Sequence, residues 1–492
     1  MKDAFNLGDL IDGSQPRQKT AIVDLGGERP PRELSYGELD ALADGAARLL
    51  LERGLKRGER VGLLSANRSE FVAGYFGIMR AGLVAVPVNF KFPPRQIEFV
   101  LRDSDARLVL CDAARRNAVP VDIPALEWSA LRPGARHEPV RPAEGETAMF
   151  LYTSGSTGRP KGVVLSHQSH LWVVRTRLQG QDASAHRLLI AAPLYHMNAL
   201  ALAKLAAAAH ATVVLMPQFS ARDYIAAIEK YRCTWLTAVP PMMAMMLREK
   251  DLLERTDLSS VRTVRMGSAP VSASLMERLR ALFPKATIVN AYGTTEAGPV
   301  VFGPHPQGLP QPDLSVGYPH PGVSLRRGLG GVLEMKSPAL MTGYHKLPEA
   351  TRAAFTPDGY YITGDVFSVD ENGFHTFVGR VDDMFVSGGE NIYPSEVEKM
   401  LERHPAVEQA AVIPVPDEIK GTKPVAFVVL KRGAAAAEDE LKQYALANAP
   451  AYQHPRRVWF LPELPLAGTN KLDRKALARL AETEMTAAGS PS

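Results

Sequence analysis

Apolar and polar residues alternate along this chain between two periods. Residues 39–51 place apolar side chains at helical spacing, and Arg60-Val61-Gly62-Leu63-Leu64 follows as a short apolar run. That pairing predicts an amphipathic helix followed by a buried strand. Residues 71–79 predict a second helix, with strands at 84–88 and 107–110. Further strands are predicted at 188–191, 212–216, 235–239, 261–266 and 287–290. Strands alternating with helices imply an α/β fold of layered, largely parallel sheets. From about Gly317 the texture changes to shorter strands between Gly and Pro turns (332–335, 359–362, 373–378), which predicts a small β-rich subdomain. A boundary is expected near Gly379-Arg380-Val381-Asp382-Asp383. Beyond it, helices at 396–403 and 438–447 and strands at 410–414, 425–430 and 458–461 predict a compact α+β unit. The division is thus 1–380, a large N-terminal domain; 381–481, a small C-terminal domain; and 482–492, a tail expected to be disordered.

Composition narrows the class. At 492 residues the chain exceeds what one hydrophobic core usually supports. Its 57 basic and 53 acidic residues nearly balance, and no basic block stands out. Nucleic-acid and membrane-surface binding are therefore not indicated. The most apolar run, 199–216, is interrupted by Lys204 and His210, and reads as an Ala-rich helix and a strand rather than a membrane span. The N-terminus lacks the basic-then-apolar order of a signal peptide. Cys111 and Cys233 lie far apart in apolar contexts, as buried thiols do. A cytoplasmic location is the expectation, and a homodimer is allowed.

The densest chemistry lies in Thr153-Ser154-Gly155-Ser156-Thr157-Gly158-Arg159-Pro160-Lys161-Gly162, set between two apolar runs. Glycines let a backbone turn tightly and approach a ligand, and free N–H groups, hydroxyls and an ammonium suit a polyphosphate. The spacing is not that of the Walker loop, in which Lys is preceded by Gly and followed by Ser or Thr. Downstream, Asn290-Ala291-Tyr292-Gly293-Thr294-Thr295-Glu296-Ala297-Gly298 follows a predicted strand. It offers an aromatic face, hydroxyls and a carboxylate able to hold a hard cation. Asp365, ending Tyr361-Ile362-Thr363-Gly364-Asp365, could accept both hydrogen bonds of a ribose diol. Arg380 follows, and Thr469-Asn470-Lys471 sets a lysine in a polar loop. Each alone is more often structural or simply solvated. Together and in this order they are specific.

On these motifs the chain resembles the adenylate-forming superfamily of acyl-CoA synthetases, peptide-synthetase adenylation domains and firefly-type luciferases, from Leu34-Ser35-Tyr36-Gly37-Glu38-Leu39 to Lys471. The resemblance implies an ATP-dependent acid–CoA ligase that forms an acyl adenylate with release of pyrophosphate, then a thioester. It implies that the Thr153–Gly162 loop holds the β- and γ-phosphates. Gly267-Ser268-Ala269-Pro270 and Tyr292 would flank adenine, Thr295 and Glu296 would serve the α-phosphate and Mg²⁺, and Asp365 and Arg380 the ribose. Lys471 would bridge the acid and the α-phosphate. It further implies a C-terminal domain that swings about Asp382, bringing Ser387-Gly388-Gly389-Glu390 to the thiol tunnel.

The acid is less well defined. Pro193-Leu194-Tyr195-His196-Met197-Asn198 matches the acid-pocket motif, with His196 at its histidine. Amino-acid activators need a carboxylate in this region, and none occurs from 193 to 216. Acetate-type synthetases have Trp where this chain has Gly293, so a larger pocket is expected. Glu296-Ala297-Gly298-Pro299-Val300 is similar to hydroxycinnamate ligases, but Arg265 and Asn198 stand where those have lysine and tyrosine. Medium-to-long fatty acids and aryl or arylpropenoic acids both remain open. The chain ends about twenty residues past Lys471, so free coenzyme A is the expected thiol and a separate carrier protein the alternative.

Overall fold

The computed structural model describes residues 4–27, 29–154, 159–387, 390–417, 419–467 and 471–488. Two seven-stranded sheets form the frame of the large domain. In one, Thr20–Asp24, Arg187–Ile190, Thr212–Leu215, Trp235–Ala238, Thr263–Gly267 and Thr287–Ala291 run parallel, with Arg32–Ser35 antiparallel at one edge. In the other, Arg60–Leu64, Val84–Pro87, Ala106–Cys111, Ala125–Glu127 and Thr147–Ser154 are parallel. Pro160–Ser166 then returns antiparallel to Thr147–Ser154, and Gly343–Tyr344 pairs on its outer side. Apolar runs become parallel strands here because helices cover both faces, so neither side needs polar residues. The helices Tyr36–Glu52 and Ser69–Arg80 show this packing. Gly77 lies so close to the first helix that an added Cβ would stand 2.5 Å from the Ala43 carbonyl.

The predicted β-rich subdomain is a six-stranded antiparallel sheet that begins earlier than expected, at Phe302–Gly303. Its central pair, Tyr361–Val369 and His375–Arg380, sets Asp365 opposite Arg380. The strand expected from 359 starts at Tyr361, because Gly359 forms the preceding turn with φ +86°. The C-terminal unit is a three-stranded sheet, Val407–Asp417, Gly421–Leu430 and Val458–Phe460, flanked by helices Pro394–Leu401, Glu438–Asn448 and Arg474–Ala488. That last helix corrects the expectation of a disordered tail from residue 482. Leu477, Ala481 and Met485 repeat every four residues and pack on Ile413 and Phe427, so the helix continues to Ala488. Residues 489–492 lie outside the described residues.

Both cysteines are free and buried, and burial pushes their thiols up to about 11 at Cys111 and about 12 at Cys233. No helix among the described residues is long and apolar enough to cross a membrane.

Candidate active site

The parallel strands end at a single large cavity of about 1220 Å³ between the two domains. Open α/β sheets place ligands at the carboxyl ends of their strands, where backbone groups and loop side chains face outward. Thr153 and Lys161 come first. They are paired across the strands Thr147–Ser154 and Pro160–Ser166, so the hairpin register fixes both at the mouth of the intervening loop. Gly155, Ser156, Thr157 and Gly158 lie outside the described residues, as does the side chain of Ser154. The Lys161 ammonium stands 5.0 Å from the centre of the Tyr344 ring. The Tyr344 hydroxyl in turn donates to Glu296 Oε1 at 3.1 Å. Burial raises the Glu296 carboxyl above the usual range, so its negative charge is under-compensated by the protein alone.

Gly267-Ser268-Ala269-Pro270 leaves the end of the strand Thr263–Gly267 and lines the cavity. Ser268 has φ +68°, a left-handed conformation uncommon for a residue with a side chain. The Tyr292 ring packs edge-on against Phe367, and its hydroxyl donates to Asp365 Oδ2 at 2.5 Å. The other Asp365 oxygen accepts from Arg380 Nη1 at 2.8 Å. Burial raises the Asp365 carboxyl, opposed by Arg380 and by the Tyr292 hydrogen bond. Arg380 also reaches Asp382 at 3.6 Å, in the exposed turn that leads into the C-terminal domain.

Three residues of the 290–298 segment serve the fold. Asn290 donates to the Leu314 carbonyl at 3.0 Å, and the Thr294 hydroxyl accepts from the Ala297 N–H at 3.0 Å. Gly293 is required by its own turn: a Cβ there would stand 2.7 Å from the Gly298 carbonyl oxygen and the Pro299 Cα. Any side chain at 293 would displace backbone, a tighter constraint than an open pocket alone demands.

Lys471 reaches the cavity from the other domain. A bridge between Leu466 and Leu472 and a hydrogen bond from the Ala467 N–H to the Lys471 carbonyl, 2.7 Å, hold its loop. The residue has an exposed side toward the open cleft, yet the protein around it and the Arg380 charge lower its ammonium below the usual lysine value. Asp365 and Glu296 oppose that shift. Ser387 and Glu390 close the short hairpin Phe385–Ser387 and Glu390–Ile392. They are not among the residues lining the cavity, and Gly388 and Gly389 lie outside the described residues.

On the acid side, His196 precedes the helix Met197–Ala209, and its Nε2 is buried with no partner among the described residues. Burial, then Lys471 and Lys91, pull its pKa down to about 3, so the ring is neutral. Met197, Asn198, Arg265 and Pro299 line the same cavity, whereas Gly298 and Val300 stand behind this wall, Val300 packing against Val173 and Ala339. The sequence did not single out Tyr344 or Arg177, both of which line the cavity. Neither belongs to a spaced motif, and each reaches the site only through sheet pairing or helix packing.

Comparison with known proteins agrees with this geometry. Residues 12–345 match the AMP-binding enzyme family, and residues 396–471 match the AMP-binding enzyme C-terminal domain. The chain is 34% identical to a feruloyl-CoA synthase of Amycolatopsis sp, over 89% of this chain and 92% of that protein. It is 30% identical to a probable CoA ligase of Humulus lupulus, covering 98% and 94% of the two. The solved structure of an anthranilate CoA ligase in complex with anthranoyl-AMP superposes with a TM-score of 0.87 at 26% identity, covering 98% of each chain. The chain belongs to the AMP-binding enzyme family and is an AMP-forming acyl-CoA synthetase of the adenylate-forming superfamily.

Proposed function

We propose that this synthetase activates an aryl or arylpropenoic acid with a polar group at its far end, in preference to a medium-to-long fatty acid, and transfers it to free coenzyme A in the cytoplasm. The observation that carries the acid class is the polar far wall of the cavity: Asn198, Arg177 and Arg265 line it together. An alkyl tail placed there would hold charged groups out of water without a partner, which costs several kcal/mol. The aryl acids in the names of the feruloyl and anthranilate relatives are consistent with this reading.

In the adenylation half-reaction the acid's carboxylate oxygen attacks the α-phosphorus of ATP, and the bond to the bridging oxygen of pyrophosphate breaks. Two anions meet, so cations that hold developing charge dominate the rate. Lys161, with Thr153 and the loop it closes, grips the leaving pyrophosphate. Lys471 spans the attacking carboxylate and the α-phosphate; burial and Arg380 lower its ammonium, and the Asp365 and Glu296 charges oppose that shift. Tyr292 and the Gly267–Pro270 segment bracket the base, while Asp365 exchanges its bond from Tyr292 for the ribose hydroxyls. Neutral His196 offers Nε2 toward the acid without competing for the cation's role.

Mg²⁺ fits Glu296, a cavity-lining carboxylate whose raised pKa shows that the Tyr344 hydroxyl, a backbone hydrogen bond and the Arg380 charge do not fully offset its burial. No cluster of three metal-ligating side chains occurs among the described residues, so phosphate oxygens and water would complete its shell. Bound there, it would neutralise phosphate charge. For the second half-reaction the C-terminal domain turns at Asp382, withdrawing Lys471 and bringing the Ser387–Glu390 hairpin to the cavity. The thiolate then attacks the acyl carbon and AMP leaves.

Pyrophosphate release with CoA across fatty, benzoic and cinnamic acids tests the reading. Cinnamic and benzoic acids with polar ring substituents should turn over fastest. A clear preference for plain fatty acids would overturn the acid class.

A further inference from the structure

Two cations lining the acid cavity have no acidic partner among the described residues. Arg177 lies near the end of the helix His167–Leu178 and Arg265 in the middle of the strand Thr263–Gly267, and both line the cavity. Arg265 donates only a long hydrogen bond, 3.4 Å, to the Pro299 carbonyl. Arg177 stands 6.0 Å from the centre of the Trp235 ring. Among the described residues no carboxylate pairs with either, and the one charge acting on Arg177 is Arg265 itself. Burial draws Arg177 down to about 9, with repulsion from Arg265 adding to it, and burial draws Arg265 down to about 10. Both still carry their charge at neutral pH.

A fully buried guanidinium elsewhere in the protein is neutralised. Arg80, fully buried, has Asp40 and Asp44 at 2.6 Å each. The same neutralisation is absent at Arg177 and Arg265, where the cavity provides room for a ligand in place of a side chain. Two half-buried like charges lining one cavity form a receptor for an anion, because part of their water is already gone and neither has a carboxylate to release.

The strand sets the distance. Arg265 precedes Gly267 by two residues and so faces the same side, about 7 Å further from the strand's carboxyl end. An anion bound between the two arginines would therefore sit several bonds away from the reacting carboxylate.

We propose that the enzyme's acid carries a second anionic group, a carboxylate or sulfonate at the end remote from the reacting carboxylate, held between Arg177 and Arg265. This rests on the acid-pocket assignment above and names the polar group that assignment requires.

Matched acids test it on the full-length enzyme: 4-carboxycinnamate against 4-methylcinnamate, and adipate against hexanoate. The dianion of at least one pair should exceed its monoanionic partner in kcat/KM by on the order of a hundredfold, as expected when a site built for a polar group meets an analogue lacking it. Arg265→Met and Arg177→Met should collapse that ratio to about one or below, chiefly through KM, and Arg265→Lys should restore part of it. Because the ratio is taken within one protein, partial loss of folded enzyme does not move it. Calorimetric titration of the preferred dianion supplies a readout without turnover: the wild type binds it and Arg265→Lys binds it more weakly. The proposal is overturned if the wild type favours the monoanion in both pairs, or if the ratio survives both methionine variants. In either case the monoanionic acids still release pyrophosphate. Release with no acid in these pairs or in the wider panel would instead overturn the assignment of the acid pocket itself.

Discussion

Lys204 is fully buried in the helix Met197–Ala209, and its ammonium meets His170 Nδ1 at 3.0 Å. Burial lowers its pKa from the ordinary 10.5 to about 7. Below pH 7 both the folded and unfolded chains hold the proton, and the folded chain bears the full cost of a buried charge. At about 1.36 kcal/mol per pH unit, the gap between 10.5 and about 7 makes that cost about 5 kcal/mol. Between the two values the unfolded chain binds a proton the folded chain does not, so stability climbs as pH rises. It levels above 10.5. The climb attributable to Lys204 between pH 7.5 and 9.5 is about 2–3 kcal/mol. Lys204→Met removes this dependence but leaves the His170 ring nitrogen without its partner, at about 1–3 kcal/mol. The variant should be more stable than the wild type by about 1–3 kcal/mol at pH 7.5, and the advantage should vanish or reverse by pH 9.5. Urea unfolding midpoints of both proteins at the two pH values, converted with each protein's own slope, supply the measurement. An offset between variant and wild type that stays level across the range would refute the argument that a buried charge is being carried.

Three further predictions concern the reaction. Lys471→Ala should lower acid-dependent pyrophosphate release by on the order of a hundredfold or more while leaving CoA transfer from a supplied acyl adenylate largely intact; loss of both half-reactions in a folded variant would count against its role. Asp382→Pro should do the reverse, sparing adenylation and blocking thioester formation, and normal thioester turnover would remove the hinge assignment. Glu408, on a C-terminal strand, meets Arg248 at 3.5 Å and Arg278 at 3.4 Å on the large domain. Glu408→Gln should weaken this docked arrangement by about 1 kcal/mol, slowing adenylation roughly fivefold with thioester formation spared, and equal loss in both half-reactions would show that the contact does not favour one domain arrangement.

The phosphate-loop composition and the order of Glu296, Asp365, Arg380 and Lys471 were readable in the sequence, because phosphate, ribose and cation binding each need particular side chains at short local spacing. The α/β alternation was readable for a related reason: a strand covered on both faces must be apolar throughout, whatever its neighbours in space. The helical end of the chain was misread from its small and polar residues, because the stripe of Leu477, Ala481 and Met485 has value only against the sheet it covers. Tyr344 reaches Glu296 only because Gly343–Tyr344 joins the edge of a sheet whose other strands come from far earlier in the chain. Arg177 looks like an ordinary surface arginine in the sequence, and Arg265 is set at the acid pocket only by resemblance, because a sequence counts charges without locating them. Only the tertiary structure decides that both line one cavity and that, among the described residues, no carboxylate pairs with either. The sequence alone determined which residues are available for a phosphate grip, because they lie at short local spacing, and left the choice of acid to the packing of distant elements, since a charge's environment is set by what folds around it.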